Sequence, residues 1–388
     1  MADMVLLKNL IFLFFFLTLS CAHIGKGSQK QRANKPSSEK QARNPQASKE
    51  AKKTLVKAES DSMAFPIADS HFHTKNYIQE GLTLDETYDL LSKHGVQRAA
   101  VFGIPLQQKW NMHTHISPSY YLHDDQALYY YSAIDAFIAV EYQALPESKK
   151  KLFDPMIVGF NPTDGRAVDH IRNMLLKFPN TFSGIGEFSI KKEIVSGKIY
   201  GEPANLEDPA LGKILTFAQT VGLVVILHCD VDAMISNNKL EPTYLKSLER
   251  LFKKHRNTKI IWAHAGLGRY VKARPKHLEF VRRILSLSSN FFIDISWDQV
   301  VQQFFDKDGK LLKHWKDFLK EHSRQIVFGS DSVAPTSSSY KELLNIYQGV
   351  WKELPQQAVK DITYLNYKRL FDSARLKVRL WEKNNLKK

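Results

Sequence analysis

The chain has 388 residues, 43% of them hydrophobic, which is enough for one large domain with a buried core. The formal net charge is +15, but residues 22–60 alone hold ten Lys or Arg and only three Glu. A folded enzyme can carry the positive charge that remains outside this segment, so no specific nucleic acid partner is expected. The two cysteines, Cys21 and Cys229, exclude a disulfide framework as the support of the fold.

The chain begins with a predicted export signal. Lys8 precedes an apolar run over residues 10–19, which is too short to span a membrane and typical of a signal-peptide core. The run ends in Leu-Ser-Cys at Cys21, which resembles a bacterial lipobox, so Cys21 is a candidate for lipidation and a membrane anchor. The alternative is a signal peptide cut near Ala22, with Cys21 incidental. Residues 1–21 thus predict export to the bacterial cell envelope, as an anchored lipoprotein or a periplasmic protein.

A basic segment follows at residues 22–61. It is rich in Lys, Gln, Ser, Asn and Ala and has almost no large apolar residue, so it cannot bury enough surface to offset its ordering entropy. We interpret it as a disordered, solvated tether. The alternative is a polycation that binds anionic polymers of the cell envelope. The folded domain is expected over residues 62–388.

Short apolar runs alternate with segments of helical period from Ala64 onward. Such nearly continuous runs suit parallel strands that are covered on both faces. Segments 83–93, 211–220 and 245–255 are predicted helices. Eight strand-helix units predict an α/β fold, a single (β/α)8 TIM barrel with some insertions. The eight runs are residues 65–68, 99–104, 156–160, 182–186, 223–227, 260–263, 291–295 and 326–329.

Polar side chains follow these runs, at positions that a barrel would bring to one mouth because the carboxyl ends of all its strands meet there. The joint placement indicates one site, although no single motif is strong. The residues are His71 and His73 after the first run, Glu187 after the fourth, His228 after the fifth, His264 after the sixth, Asp294 in the seventh and Asp331 after the eighth.

The pattern of these residues favours a metal site. His71 and His73 are two apart on a strand, so their side chains point the same way and could bind one ion. Taken alone, His228 or His264 would be a hydrogen-bonded core histidine, and Asp331 could cap the next helix. Four imidazoles and a carboxylate at one mouth favour ligands over these structural roles.

These residues carry a family resemblance. A His-x-His on the first strand, a His on the fifth, a His on the sixth and an Asp on the eighth together resemble the amidohydrolase superfamily. Residues 364–371, Tyr-Leu-Asn-Tyr-Lys-Arg-Leu-Phe, resemble the closing helix of the subgroup that includes aminocarboxymuconate semialdehyde decarboxylase. The likeness spans residues 64–375. It implies that the residues which bind metal are His71, His73, His228 and Asp331, and that His264 assists catalysis.

Glu187 departs from one pattern in this superfamily. Many members with two metal ions have a carbamylated Lys at the end of the fourth strand, where this chain has Glu187. A Glu there resembles deoxyribonuclease-like members, in which it contacts metal. Contact with metal, support of substrate or ligands, and a purely structural role stay open. The predicted cofactor is therefore a divalent metal, Zn²⁺, as one or two ions.

Other residues near the predicted mouth are candidates for substrate binding, although each could instead cap a loop or form a local salt bridge. Arg269 could pair with a substrate carboxylate through two hydrogen bonds. Asp69 is interpreted as orienting a ligand histidine. The insertion at residues 107–146 is rich in Tyr and His and is either a lid or a packed helix. The substrate-binding candidates are Asn161, Arg269, Asp294 and Trp297.

The predicted function is that of a metal-dependent hydrolase, in which metal-activated water attacks an amide, ester or lactone carbon. Asp331 would accept the proton of this water, and His264 would stabilise the oxyanion. The alternative on the same scaffold is a metal-dependent non-oxidative decarboxylase, a C–C lyase. A non-catalytic envelope binding protein is disfavoured by the whole set of metal residues. The expected partner is a small-molecule substrate, and a homo-oligomer stays open.

Overall fold

Parallel strands dominate the part of the chain that the computed structural model describes, which is residues 65–113, 117–118, 120–122, 124–201, 203–235 and 241–386. Their sheet runs in the order β10-β9-β8-β7-β6-β5-β2-β1-β11, with parallel pairing between neighbours. The strands are β1 (Ile67–His73), β2 (Val96–Phe102), β3 (Leu106–Gln108), β4 (Leu128–Tyr130), β5 (Phe153–Ile157), β6 (Gly184–Lys191), β7 (Val224–Cys229), β8 (Lys259–Trp262), β9 (Phe291–Asp294), β10 (Ile326–Val327) and β11 (Ser332–Val333).

Helices connect these strands and cover the outside of the sheet. Thr83 and Glu86 form a capping box that begins the first helix, and Gly222, with φ of 91°, ends the sixth. The helices are α1 (Leu84–Lys93), α2 (Ala133–Ala144), α3 (Glu147–Lys150), α4 (Ala167–Lys177), α5 (Glu193–Lys198), α6 (Pro209–Val221), α7 (Leu245–Lys254), α8 (His277–Leu285), α9 (Asp298–Val301), α10 (Lys313–Glu321), α11 (Ser337–Trp351), α12 (Gln356–Lys360) and α13 (Asn366–Asn385).

The two edges of the sheet are joined by one short stretch of chain. β10 pairs with β9, β11 pairs with β1, and only residues 328–331 separate β10 from β11. Inside this stretch the Asp331 backbone N–H donates to the carbonyl of His71 at 2.8 Å. The eighth strand position is therefore split, and it closes the sheet into a barrel. The predicted (β/α)8 barrel is confirmed.

The core explains why the apolar runs identified the strands. In β7 every residue is buried, as is every residue of β5 and of β9. One continuous apolar cluster extends from these strands to the inner faces of the surrounding helices. Strands that are covered on both faces do not alternate between polar and apolar residues. A continuous apolar run is therefore what identifies such a strand in the sequence.

A second, smaller apolar cluster lies at the mouth. β3 and β4 of the insertion pair antiparallel, and Leu106, Leu128 and Tyr121 pack there with Tyr77 and Ile199 from two strand-end loops. The described part of the insertion therefore covers part of the mouth, and it forms a hairpin before the helix α2. Among the residues described, no helix combines the length and apolar character needed to cross a bilayer.

The predictions for the N-terminal segments lie outside the described residues. This applies to the signal peptide at residues 1–21, to the lipidation of Cys21 and to the tether at residues 22–61. The domain predicted from residue 62 is described from residue 65 onward.

Candidate active site

Four of the predicted residues converge at the carboxyl ends of the first, fourth and eighth barrel strands. The Asp331 Oδ1 lies 3.3 Å from the His71 Nε2 and 3.2 Å from the His73 Nε2. The Glu187 Oε2 lies 3.7 and 3.4 Å from the same two nitrogens. Tetrahedral ligands at Zn²⁺ bond lengths are about 3.3–3.6 Å apart. These four side chains therefore have a spacing that fits one divalent ion.

The other oxygen of Glu187 faces a second group of donors. The Glu187 Oε1 lies 2.5 Å from the His228 Nδ1 and 3.7 Å from the His264 Nε2. Within the described ranges, Glu187, His228 and His264 form a further cluster with metal-ligand spacing. The two groups share Glu187, one oxygen to each.

His228 is thus separated from the ligands with which it was predicted. The sequence grouped it with His71, His73 and Asp331, whereas the structure groups it with Glu187 and His264. The reason is geometric: the fifth barrel strand, β7, neighbours β6 and β8 but lies across the barrel from β1. Its other nitrogen, Nε2, lies 3.1 Å from the Asp230 Oδ1.

Two buried nitrogens show that the site suits a cation. The Nε2 atoms of His71 and His264 are buried and have no hydrogen-bond partner among the described residues. On the far side of its ring, the His71 Nδ1 lies 3.0 Å from the Asp294 Oδ2. With the proton held at Nδ1, the Nε2 lone pair faces the oxygen of Asp331. Two acceptors in contact need a positive charge between them, which a bound metal ion would supply.

The electrostatics of the site also favour a positive charge. Burial acts to lower the pKa of His71, but Asp331 and Asp294 raise it well above its usual value. Burial acts to raise the pKa of Glu187, but Lys192 and His228 lower it well below its usual range. The pKa of Asp331 is likewise lowered by His71 and His264 against the effect of burial. Both carboxylates are therefore ionised near neutral pH and can bind a cation.

The backbone at the site is held in unusual conformations. His264, Trp297 and Asp331 have φ of 56°, 76° and 51°, in the left-handed region that side chains other than Gly rarely adopt. Such residues cost about 1–3 kcal/mol each and persist where the surrounding structure holds them. Here the Asp331 N–H binds the His71 carbonyl and the His264 N–H binds the Asp294 carboxylate. Strained residues concentrated at one mouth are typical of functional sites.

Comparison with known protein families finds a match to part of this chain. Residues 196–372 match the family model described as amidohydrolase. The resemblance of the sequence to the amidohydrolase superfamily is confirmed, and members of this superfamily are generally metal-dependent enzymes. No curated protein is matched in sequence.

Two solved structures share the fold of this chain at 13% sequence identity. One is an uncharacterised TIM-barrel protein from Bordetella bronchiseptica, with a TM-score of 0.50 over 80% of this chain and 99% of the other. The second is a proposed 2-pyrone-4,6-dicarboxylic acid hydrolase from Pseudomonas putida, with the same TM-score and the same coverage. At this identity the likeness supports the barrel fold alone.

Asp294 lies beneath the histidines of the candidate site, and this position differs from its predicted role in substrate binding. It is fully buried, and its Oδ1 accepts from the backbone N–H of His264 at 2.8 Å and from the hydroxyl of Ser296 at 2.5 Å. Its Oδ2 faces the His71 Nδ1. A carboxylate behind both rings is placed to orient the histidines, and it has no open face toward a substrate.

Asn161 also differs from its prediction. Its side-chain oxygen accepts from the backbone N–H and the hydroxyl of Thr163, at 3.0 and 2.9 Å. This is a local turn after β5, the loop-cap alternative. Asp69 was expected to orient the ring of a ligand histidine, but among the described residues it does not hydrogen-bond to a histidine ring. Its carboxylate accepts from the backbone N–H groups of His71 and Ser330 and from the Tyr340 hydroxyl.

Arg269 and Trp297 form part of the wall of the mouth. The Arg269 guanidinium lies 5.5 Å from the centre of the Trp297 ring, and that ring is 5.4 Å from the His264 ring. Arg269 also donates to the hydroxyl of Tyr120, which belongs to the insertion, at 2.9 Å. The predicted pair thus lies next to the candidate metal ligands, with the insertion packed against it.

Sequence reasoning missed three residues of the site. Asp230 binds His228, Ser296 lies 2.8 Å from the His264 Nδ1, and Lys192 contacts both oxygens of Glu187. Asp230 follows His228 by two residues, and Ser296 follows Asp294 by two residues. In an extended chain, side chains two residues apart point the same way, so this spacing could have indicated both residues. Nothing in the sequence separates Lys192 from Lys191.

Proposed function

We propose that this amidohydrolase is a metal-dependent hydrolase that cleaves an amide, ester or lactone. The observation that carries the proposal is the pair of donor groups that share Glu187, with Asp331 beside the first. In this assignment His71, His73, Asp331 and Glu187 would hold one divalent ion, with Zn²⁺ favoured by the imidazole and carboxylate donors. Glu187, His228 and His264 would hold a second.

A bound divalent ion would polarise the scissile carbonyl and lower the pKa of water. Asp331 accepts the proton of the attacking water in this proposal. Its Oδ1 faces His71 and His73, while its Oδ2 is 3.8 Å from the His264 Nε2. The Asp331 side chain is 9% exposed against 0–3% for the surrounding donors, so it is the group nearest the open side of the site.

His264 and Asp294 act on the other side of the site. The Ser296 hydroxyl at the His264 Nδ1 and the carboxylate at the His264 backbone fix the ring, so that its Nε2 faces Glu187 and Asp331. In a site with two ions this nitrogen would bind metal, and this role would replace the oxyanion contact expected from the sequence. Arg269, on the wall, would orient a polar group of the substrate.

A substrate panel tests the proposal. Purified protein is stripped of metal, reloaded with Zn²⁺ or Mn²⁺, and assayed against lactones, esters, amides and aromatic acids. We expect hydrolysis of one of the first three classes in the reloaded protein, little in the stripped protein, and a rate lower by about 10²–10⁴-fold in reloaded Asp331→Asn. Release of CO₂ from an acid would favour the lyase instead. Equal activity of stripped and loaded protein would contradict a metal role.

We also propose that the protein is exported and anchored at the membrane through Cys21. The support is the sequence alone: the apolar run at residues 10–19, the Leu-Ser-Cys ending and the basic segment that follows.

A further inference from the structure

A buried ammonium group lies directly on the candidate metal site. The Lys192 Nζ is 3.1 Å from the Glu187 Oε1 and 3.3 Å from its Oε2, and Lys192 is only 9% exposed. Buried lysines are rare unless they are paired. Here the partner is the very carboxylate that the two donor groups share.

The backbone around Lys192 fixes its position. The Lys192 N–H donates to the Ser196 hydroxyl at 2.8 Å, at the start of α5. The next residue, Glu193, donates through its N–H to Asp230 and accepts through its carboxylate from the Val271 N–H. These contacts connect the backbone at Lys192 to the loops after β7 and β8, so the side chain of Lys192 starts from a fixed position at the mouth.

Metal binding would leave this ammonium without its counter-charge. Ions bound to Glu187 at about 2.0–2.2 Å would lie no more than about 5.5 Å from the Lys192 Nζ. The Glu187 charge would then be shared with cations, and Asp331, the other carboxylate that acts on Lys192, is a ligand of the same site.

Two phenols are also close enough to Lys192 to interact with its charge. Tyr77 and Tyr121 interact with its charge, and the centres of their rings are 4.6 Å apart, where Tyr121 of the insertion packs on Tyr77. Burial raises the pKa of Tyr77 to about 12, so its hydroxyl is neutral near neutral pH and cannot replace the carboxylate. The metal-loaded mouth therefore has an excess of positive charge and hydroxyl donors, which an anion would neutralise.

We infer that Lys192, with Tyr77 and Tyr121, forms a subsite for an oxyanion of the substrate, placed next to the metal centre. The inference rests on the proposed function and deepens it: the substrate is an acid, with a carboxylate or phosphate close to the bond that is cleaved. Lys192 attracts this group through its positive charge. The ammonium becomes free to pair with the substrate only after metal has bound, because the ions then share the charge of Glu187.

Binding of small probes to the full-length protein tests the inference. Zn²⁺-loaded and metal-free protein are titrated by calorimetry with benzoate, phenyl phosphate and benzamide. We expect benzoate or phenyl phosphate to bind the loaded protein at least tenfold more tightly than benzamide, and the stronger of the two identifies the anion. Metal-free protein should bind both anions at least tenfold more weakly, because Glu187 then pairs with Lys192.

Variants separate the subsite from the metal centre. Lys192→Met should lose at least tenfold in anion affinity while its Zn²⁺ affinity stays the same or rises, because a competing cation is removed. Lys192→Arg should retain anion binding, and Lys191→Met, the neighbouring control, should match the wild type. Thermal unfolding and bound zinc report whether each variant is folded and loaded.

The outcomes distinguish this inference from the proposed function. Loaded protein that binds no anion more tightly than benzamide, or Lys192→Met that binds anions like the wild type, would overturn the subsite. Either result would leave the metal centre standing if zinc remains bound. If Lys192→Met does not fold, Lys192→Gln, which keeps a polar side chain without charge, takes its place with the same expected loss.

Discussion

Replacement of Asp294 by Asn tests how the site orients its histidines. One carboxylate serves four donors: the His71 Nδ1 at 3.0 Å, the His264 N–H at 2.8 Å, and the Ser296 N–H and hydroxyl at 3.2 and 2.5 Å. An Asn side chain has one oxygen and one NH₂ group, so one side of this arrangement must change.

The two orientations of the Asn have different costs. If its NH₂ group faces the His264 and Ser296 N–H groups, these two donors and the Ser296 hydroxyl lose their acceptor, at about 1–3 kcal/mol each. If the NH₂ group faces His71 instead, the Nδ1 must accept, and the ring proton moves to Nε2. The second orientation leaves fewer groups unsatisfied, so we expect it to prevail. In this orientation a proton occupies the His71 Nε2, the nitrogen that faces Asp331, so this atom can no longer bind a metal ion.

Chelator competition measures the consequence. We expect Asp294→Asn to bind Zn²⁺ about 10–100-fold more weakly than the wild type, the usual effect of losing a partner behind a ligand histidine. The control is Asp298→Asn, the same change four residues further on, where the carboxylate accepts from the neighbouring Gln299. Wild-type zinc affinity in folded Asp294→Asn would refute the assignment of His71 as an oriented ligand.

Three further predictions concern the proton acceptor and the N-terminal segments. Asp331→Asn should retain much of its zinc and lose about 10²–10⁴-fold in turnover, because an amide cannot accept the proton; near wild-type turnover on a verified substrate would refute this. A chain that begins at Ser62 should fold with the same unfolding temperature as the mature protein, and an insoluble product beside a soluble mature form would argue against it. Mass spectrometry of membrane extracts should find a diacylated N-terminus at Cys21, and any other N-terminus would exclude the lipid anchor.

The barrel could be predicted from sequence because its strands are buried on both faces. Each of the eight apolar runs overlaps an observed strand, and the predicted helices agree with α1, α6 and α7 to within two residues. Strand ends then located the histidines and carboxylates of the mouth, since parallel strands bring their carboxyl ends together. The split of the eighth strand into β10 and β11 was not predicted, because pairing with two different neighbours leaves no local signal.

The roles of individual side chains depended on contacts between distant parts of the chain. Asp294 was expected to touch the substrate, but at the end of β9 it lies behind His71, 223 residues away in sequence. The contact between Tyr120 and Arg269 joins the insertion to a loop 149 residues later. Lys192 differs from Lys191 only in the direction of its side chain at the end of β6, which no periodicity determines.

Metal stoichiometry tests the central claim most directly. Full-length protein reloaded with Zn²⁺ and passed over a desalting column is analysed for bound metal by elemental analysis, beside Glu187→Gln and the double variant His71→Ala with His73→Ala. We expect two ions per wild-type chain, fewer than two in Glu187→Gln, and at most one in the double variant. One ion in the wild type would contradict the shared role of Glu187, and metal at background in a folded wild-type protein would contradict the metal centre altogether.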